Sequence, residues 1–261
     1  MKRLFSAAII LAMSALFFAN CATKKDKVER TRVIAHRGYW DCEGSAKNSI
    51  KALEMSAEIG AWGSEFDVHL TADSVLIVYH NGEIDGIPIK TSNYADIKDV
   101  KLSNGESLPT LEAFLLKATE LKGLQLIFEL KPQGDKERNW LAAERSVEMI
   151  NAFGLDNRTE YISFDIEACL AFKHYAPKAH VVSLSSVKTP KEVKELGLDG
   201  YDYHYSLLQK NPTWAQEAIE LGLTSNVWTV NTTELMKEML DLKVNYITSD
   251  KPVELLKMIG E

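Results

Sequence analysis

Glu65 and Asp67 stand two residues apart in the stretch 63–81, GSEFDVHLTADSVLIVYHN. In an extended segment that spacing aims both carboxylates at one face, while Phe66 and Val68 turn to the other and need packing. A turn at Ala72-Asp73-Ser74 reverses the chain, lays Val75 opposite Thr71 and returns His80 opposite Phe66 and Asp67. Two acids and an imidazole then converge. A third acid, Glu129, lies in another apolar run with Lys131 two residues on.

Three carboxylates without thiolates suit a hard divalent cation. Crowded in a partly dry site, such acids raise one another's pKa, and a cation removes the conflict. Glu65, Asp67 and Glu129 are therefore the expected metal ligands; a plain ion pair with Lys131 is the alternative for Glu129. Arg37 and Lys131 bring positive charge to the same place, which suits an anionic, phosphorylated substrate. His36 and His80 are then placed to act as acid and base around a scissile bond.

These residues need a scaffold. From residue 31 onward, short apolar runs alternate with amphipathic ones. Strands are expected at 32–36, 62–67, 124–130, 160–164, 180–184, 200–203, 226–230 and 245–248. Helices are expected at 48–59, 111–121, 139–153, 166–175, 190–196, 212–221 and 232–240, with 253–258 closing the chain. Pro190, Pro212 and Pro252 fall at helix starts, and Gly60, Gly154, Gly197 and Gly222 follow helix ends.

Eight strand–helix units predict a (β/α)8 TIM barrel, with a β-hairpin and a loop insertion at 82–109 after the second strand. A doubly wound sheet is the alternative, but no Gly-rich phosphate loop follows any strand. In a barrel the site forms at the C-terminal strand ends. Those ends read His36-Arg37-Gly38, Glu65/Asp67 with His80, Glu129 with Lys131, Ser163 with Asp165, Ser183, Tyr203-His204, Trp228 with Asn231, and Ser249-Asp250. Polar and ionisable groups gather where the fold puts its chemistry.

At 261 residues, 46% hydrophobic and 26% charged, the chain has material for one large domain. A net charge of −7 gives no support to nucleic-acid binding. Residues 1–20 read as a signal peptide: Lys2-Arg3 precedes an uncharged run from Leu4 to Ala19. That run is short for a bilayer span, which needs about 20 residues. Cys21 resembles the lipidated cysteine of a bacterial lipoprotein, although Phe18-Ala19-Asn20 departs from the usual Leu-Ala-Gly type. Residues 21–30 form a polar tether and 31–261 the barrel domain. The expectation is an exported, periplasmic or cell-surface lipoprotein, held to the membrane by an N-terminal lipid anchor. Without the leader the chain carries 28 basic and 37 acidic residues, or −9. Cys42 and Cys169 lack a CxxC partner, and the sequence leaves their pairing open.

The chain resembles the glycerophosphodiester phosphodiesterases. The resemblance runs through Ile34-Ala35-His36-Arg37-Gly38, Asn48-Ser49, Glu65-Phe66-Asp67-Val68, Thr71-Ala72-Asp73 and Val78-Tyr79-His80. It continues through Phe128-Glu129-Leu130-Lys131, Val227-Trp228-Thr229-Val230-Asn231 and Ile247-Thr248-Ser249-Asp250-Lys251-Pro252. It implies a barrel hydrolase that cleaves glycerophosphodiesters to glycerol 3-phosphate and an alcohol with Mg2+ or Ca2+. It further implies His36 and His80 as the acid/base pair, and Glu65, Asp67 and Glu129 as metal ligands. Arg37, Asn48, Lys131 and Trp228 are the expected substrate-binding residues. Two positions depart from the pattern: Lys47 stands where the family often has Glu, and Asn81 where it has Asp.

Two other readings remain at this stage. A related phospholipase acting on intact lipids predicts an exposed apolar rim, for which Ile84, Ile87, Pro88 and Ile89 are the candidates. A catalytically silent lipoprotein that binds a phosphorylated ligand is the other, and retention of both histidines and all three acids argues against it.

Overall fold

The computed structural model describes residues 30–185 and 188–261. The expected signal peptide, Cys21 and all of the tether but Arg30 lie outside the described residues. The first half comprises β1 (Arg32–Ala35), α1 (Ile50–Glu58), β2 (Gly63–Leu70), β3 (Leu76–Val78), β4 (Glu83–Ile84), β5 (Ile87–Pro88), α2 (Tyr94–Ile97), α3 (Leu111–Glu120) and β6 (Gln125–Leu130). There follow α4 (Lys136–Ala152), β7 (Thr159–Ser163), α5 (Ile166–Tyr175), β8 (His180–Ser183), α6 (Pro190–Glu195) and β9 (Gly200–His204). The chain ends with α7 (Tyr205–Lys210), α8 (Trp214–Leu221), β10 (Thr224–Trp228), α9 (Thr233–Asp241), β11 (Tyr246–Ser249) and α10 (Pro252–Ile259).

Strands β1, β2 and β6 to β11 are parallel and ordered by sequence around a closed barrel, the last pairing back onto the first. At that seam Ala35 lies opposite Ser249, and β1 also pairs with β2 through Ala35 and Ser64. The ninth strand of the sheet, β3, is antiparallel to β2 with Val78 opposite Val68. The expected hairpin register holds: Thr71 N–H donates to Val75 O at 3.0 Å and Tyr79 N–H to Asp67 O at 2.9 Å.

Period-two alternation explains the packing. Inward residues Ile34, Ile127, Ile162, Val182 and Leu184 fill the barrel beside Trp62, Trp228 and Tyr246. Outward residues meet the helices: Phe66 packs on Phe114 at 4.5 Å between ring centroids, and Phe128 on Phe66 at 5.5 Å and Phe172 at 5.9 Å. Each such buried ring contributes about 1.5–3 kcal/mol through area removed from water. The same alternation turns Glu129 inward with Ile127.

Helix α1 starts at Ile50, because the Ser49 side chain accepts from Ala52 N–H at 2.9 Å and caps it. Gly38 sits beneath this helix at φ +74, and a Cβ there would stand 2.6 Å from Ala52 Cβ. Helix α4 begins at Lys136, earlier than the expected residue 139, since Asp135 caps it by accepting from Arg138 N–H.

The helix expected at 212–221 is α8, starting at Trp214 with Pro212 in the turn before it, and an unexpected short helix, α7, precedes it directly after β9. A residue before proline avoids the helical region, and Asn211 is at φ −132. The insertion at 82–109 is a built unit carrying β4, β5 and α2. With Ile77 from β3 it packs its own small core of Ile84, Ile89, Ile97, Leu102 and Leu108. Of the four residues expected to form an apolar rim, Ile84 and Ile89 are 1% and 0% exposed, because they form that core, while Ile87 is half-buried and Pro88 exposed. Cys42 and Cys169 are both free thiols. No helix among the described residues is long and apolar enough to cross a membrane.

Candidate active site

β2 and β6 pair with Asp67 opposite Glu129 and Glu65 opposite Ile127. That register brings the three acids together: Glu65, Asp67 and Glu129 are buried, and one carboxylate oxygen from each lies within 4.8 Å of the others. Arg37 N–H donates to Glu65 Oε2 at 2.7 Å, while Glu65 Oε1 is buried without a hydrogen-bond partner. Asp67 accepts from Asn48 Nδ2 at 2.8 Å, and its own N–H donates to Asn48 Oδ1 at 3.1 Å. Lys131 Nζ bridges Asp67 Oδ1 at 2.9 Å and Glu129 Oε1 at 2.7 Å. The Glu129–Lys131 ion pair is therefore present within the cluster rather than instead of it.

Burial, then the charge of Asp67, pushes Glu129 up to about 8. Burial and both acidic neighbours push Glu65 well above the usual carboxylate range. Burial opposes ionisation of Asp67 too, but Lys131, His80 and the Asn48 hydrogen bond hold it well below. Burial works against a charged Lys131, yet Glu129 and Asp67 raise it. An oxygen-only donor set, short of positive charge and with one orphaned buried oxygen, fits a hard divalent cation.

His36 follows the end of β1, and its Nδ1–H donates to Asp250 Oδ1 at 2.8 Å across the seam from β11. Asp250 also accepts from Trp40 Nε1 at 2.9 Å and Asn231 Nδ2 at 2.7 Å. Burial alone would raise Asp250, but these bonds, led by that from His36, keep it well below the usual range. His80 returns on the hairpin and donates Nδ1–H to Asn81 Oδ1 at 2.8 Å. Burial lowers its pKa despite the nearby Asp67 charge. In each ring Nε2 is left for substrate.

His36, His80, Glu65 and Glu129 meet at a cavity of about 110 Å3, lined also by Arg37, Lys131, Phe164 and Trp228. Trp228 meets Phe164 edge-on at 5.7 Å and His204 at 5.4 Å, and its Nε1 donates to Asp202 O at 3.1 Å. Arg37 Nε stands 3.7 Å from Asp67 Oδ2, too long for a hydrogen bond, and is buried without one. Arg37 and Asn48 sit at φ 55 and φ 60, in the left-handed region that non-glycine residues enter at a cost. Of the expected substrate-binding residues, Arg37, Lys131 and Trp228 line the cavity, while both ends of the Asn48 amide are bonded to Asp67.

Two residues at the site escaped the sequence reading. His69 continues the face of Glu65 and Asp67, so the period-two pattern already pointed to it; its Nε2 meets His80 O at 3.2 Å. Asp202 also lines the cavity, with Oδ1 buried and unpartnered. Burial, then Glu129, raises it well above the usual range. Its flanking residues, Tyr201 and Tyr203, turn the other way into the core between barrel and helices.

A parallel barrel that gathers acids, histidines and cations at the C-terminal ends of its strands has the layout of a barrel hydrolase. The model of the Glycerophosphoryl diester phosphodiesterase family matches residues 36–254. The chain belongs to this family of phosphoric diester hydrolases. A glycerophosphodiester phosphodiesterase from Caldanaerobacter subterraneus is 26% identical over 249 residues, covering 88% of this chain and 98% of that protein. A crystal structure of a glycerophosphodiester phosphodiesterase from Parabacteroides distasonis superposes with a TM-score of 0.88 at 53% identity, over 88% of this chain and 97% of that one. An Oleispira antarctica phosphodiesterase, solved in complex with the product sn-glycerol 3-phosphate, shares the fold at a TM-score of 0.76 and 21% identity, covering 89% of this chain and 98% of the other.

Proposed function

We propose that the chain hydrolyses glycerophosphodiesters to glycerol 3-phosphate and an alcohol, with His36 and His80 as the acid/base pair. The observation that carries this reading is the meeting of both histidines with Glu65, Glu129, Arg37 and Lys131 around one small cavity, with Asp67 beside both acids. Glu65, Asp67 and Glu129 would hold Mg2+ or Ca2+, which when bound supplies positive charge to the phosphoryl oxygens. Arg37, with no hydrogen bond on its Nε, offers the phosphate a planar donor set. Lys131 offers a further positive charge, and Trp228 with Phe164 gives the glycerol carbons an apolar wall. Asn48 fixes the direction of Asp67.

The two rings are set up differently. Asn81 accepts from His80 without adding charge, and burial favours the neutral ring, so Nε2 can take the proton of the attacking oxygen. Asp250 accepts from His36 Nδ1–H and holds the ring in place, so its Nε2 is directed to the departing alkoxide as the proton donor. Phosphorus gains the attacking oxygen and loses the alcohol oxygen, and one proton is taken up for each delivered.

The test is release of glycerol 3-phosphate from purified protein, with and without a chelator, alongside Glu65→Gln. Chelation is expected to abolish turnover, and Glu65→Gln to weaken cation binding and turnover together. Full activity in chelator would remove the metal from this reading, and wild-type cation dependence in Glu65→Gln would remove Glu65 from the site.

The same proposal extends to location. The uncharged run from Leu4 to Ala19 and the cysteine after Asn20 support an exported lipoprotein anchored through Cys21. Incorporation of labelled palmitate, lost in Cys21→Ala, is the expected outcome; unlabelled wild-type protein would end this part.

A further inference from the structure

Beside the small cavity runs a second, open groove of about 640 Å3, and Arg37 and His80 line both. The cavity ends against the apolar side chains of Ile162, Phe164 and Leu184, so it has room for one small substituent of a phosphodiester. The other substituent must leave across Arg37 and His80 into the groove. Its lining holds three cations, Arg37, Lys47 and Lys101, and no acid, on a chain whose net charge is −7. Glu106 lies close by but is occupied, accepting from Ile50 N–H at 3.0 Å and from Asn104 Nδ2 at 2.6 Å.

The larger of the two aromatic side chains in the lining, Trp40 beside Tyr79, already has a cation over its face. Trp40 lines the groove, and Lys47 Nζ sits over its ring at 4.3 Å from the centroid. A quaternary ammonium binds by placing its charge over such a face. Here it would have to displace one cation and settle beside another.

Resting on the functional reading above, we infer that this groove takes the leaving alcohol and selects one that carries its own negative charge, with Lys47 as the specificity-determining residue. Lys47 repels a cationic alcohol and attracts an anionic one. It also leans on Trp40, whose Nε1 shares Asp250 Oδ1 with His36, so head-group charge is read one residue away from the proton donor.

The experiment measures kcat/KM for three diesters of glycerol 3-phosphate, with choline, glycerol or phosphoglycerol as the alcohol, in wild type, Lys47→Gln and Lys47→Glu. Each protein is its own reference through the phosphoglycerol-to-choline ratio, so partial misfolding cancels. The wild type is expected to favour phosphoglycerol by about fivefold or more, as befits a solvent-exposed charge contact. Added salt should shrink that ratio; Lys47→Gln should lower it, and Lys47→Glu should lower it by a further fivefold or so. A ratio that Lys47→Glu leaves within about twofold of wild type, or a wild type that prefers choline, overturns the inference while hydrolysis itself stands. If the wild type turns over none of the three, the functional reading fails and the inference falls with it.

Discussion

His69 Nε2 lies 3.2 Å from the carbonyl oxygen of His80, so one histidine pins the backbone of the other across the β2–β3 hairpin. Burial lowers the pKa of His69 to about 4, which keeps the ring neutral and leaves Nε2–H as a donor. His69 is a positioning residue on this geometry. His69→Leu is expected to lower kcat by about 10–100-fold with little change in KM. His69→Gln, whose amide can still donate, should recover part of the loss. Equal losses in both variants, tracking equal falls in Tm, would make His69 a packing residue only.

On the proposed mechanism, the different partners of His36 and His80 divide their roles. Either His→Ala should lower turnover by about 10²–10⁴-fold while divalent-cation binding persists. An aryl phosphodiester, whose leaving group needs no proton, should rescue His36→Ala and leave His80→Ala impaired. The reverse pattern would exchange the two roles, and near-normal activity in both variants on the natural ester would end the mechanism.

Arg37 has a buried Nε with no hydrogen-bond partner beside the cavity, in a backbone conformation that costs stability. Lysine lacks the planar fork, so Arg37→Lys should raise KM and lower kcat. Unchanged kinetics with a lowered Tm would assign Arg37 to the Asp67 ion pair alone.

At the opposite, N-terminal mouth of the barrel, burial raises Glu160 on β7 to about 7, with Arg32 opposing and Asp199 adding to the shift. The folded pKa exceeds the ordinary value of 4.5, so the folded chain binds this proton more tightly than the unfolded one. The resulting stability is fully present below pH 4.5 and lost as pH rises through about 7. Glu160→Gln should therefore raise Tm by about 3 °C or more at pH 8, with the gain vanishing towards pH 4.5. A gain of equal size at both pH values would detach it from ionisation.

Much of this could be read from residue order. Alternation in 62–67 and 124–130 placed Glu65, Asp67 and Glu129 on inward faces, and the hairpin register returned His80 to them. The pattern stopped short at His69, which lies one step further along the same face. Asp202 carried no local signal, because only the closed barrel turns it towards Glu129. The helix Tyr205–Lys210 follows β9 with no intervening loop and spans under two turns, too few for an apolar stripe to show. The insertion looked irregular because its strands are two residues long; Ile84 and Ile89 reveal their burial only once Ile77, Ile97 and Leu108 close around them.

The seam between β1 and β11 also sets a timetable for synthesis. His36 precedes Asp250 by 214 positions, so at about 5–20 residues per second the ribosome adds the partner roughly 10–40 s after the histidine. β2 and β6 can bring the three acids together well before that, while the barrel still stands open at one edge. The carboxylate that orients His36 arrives only with β11, the strand that closes the barrel. A chain that lacks β11 therefore holds its acid cluster with His36 unpartnered, and on the proposed mechanism it gains its proton donor only when the barrel closes.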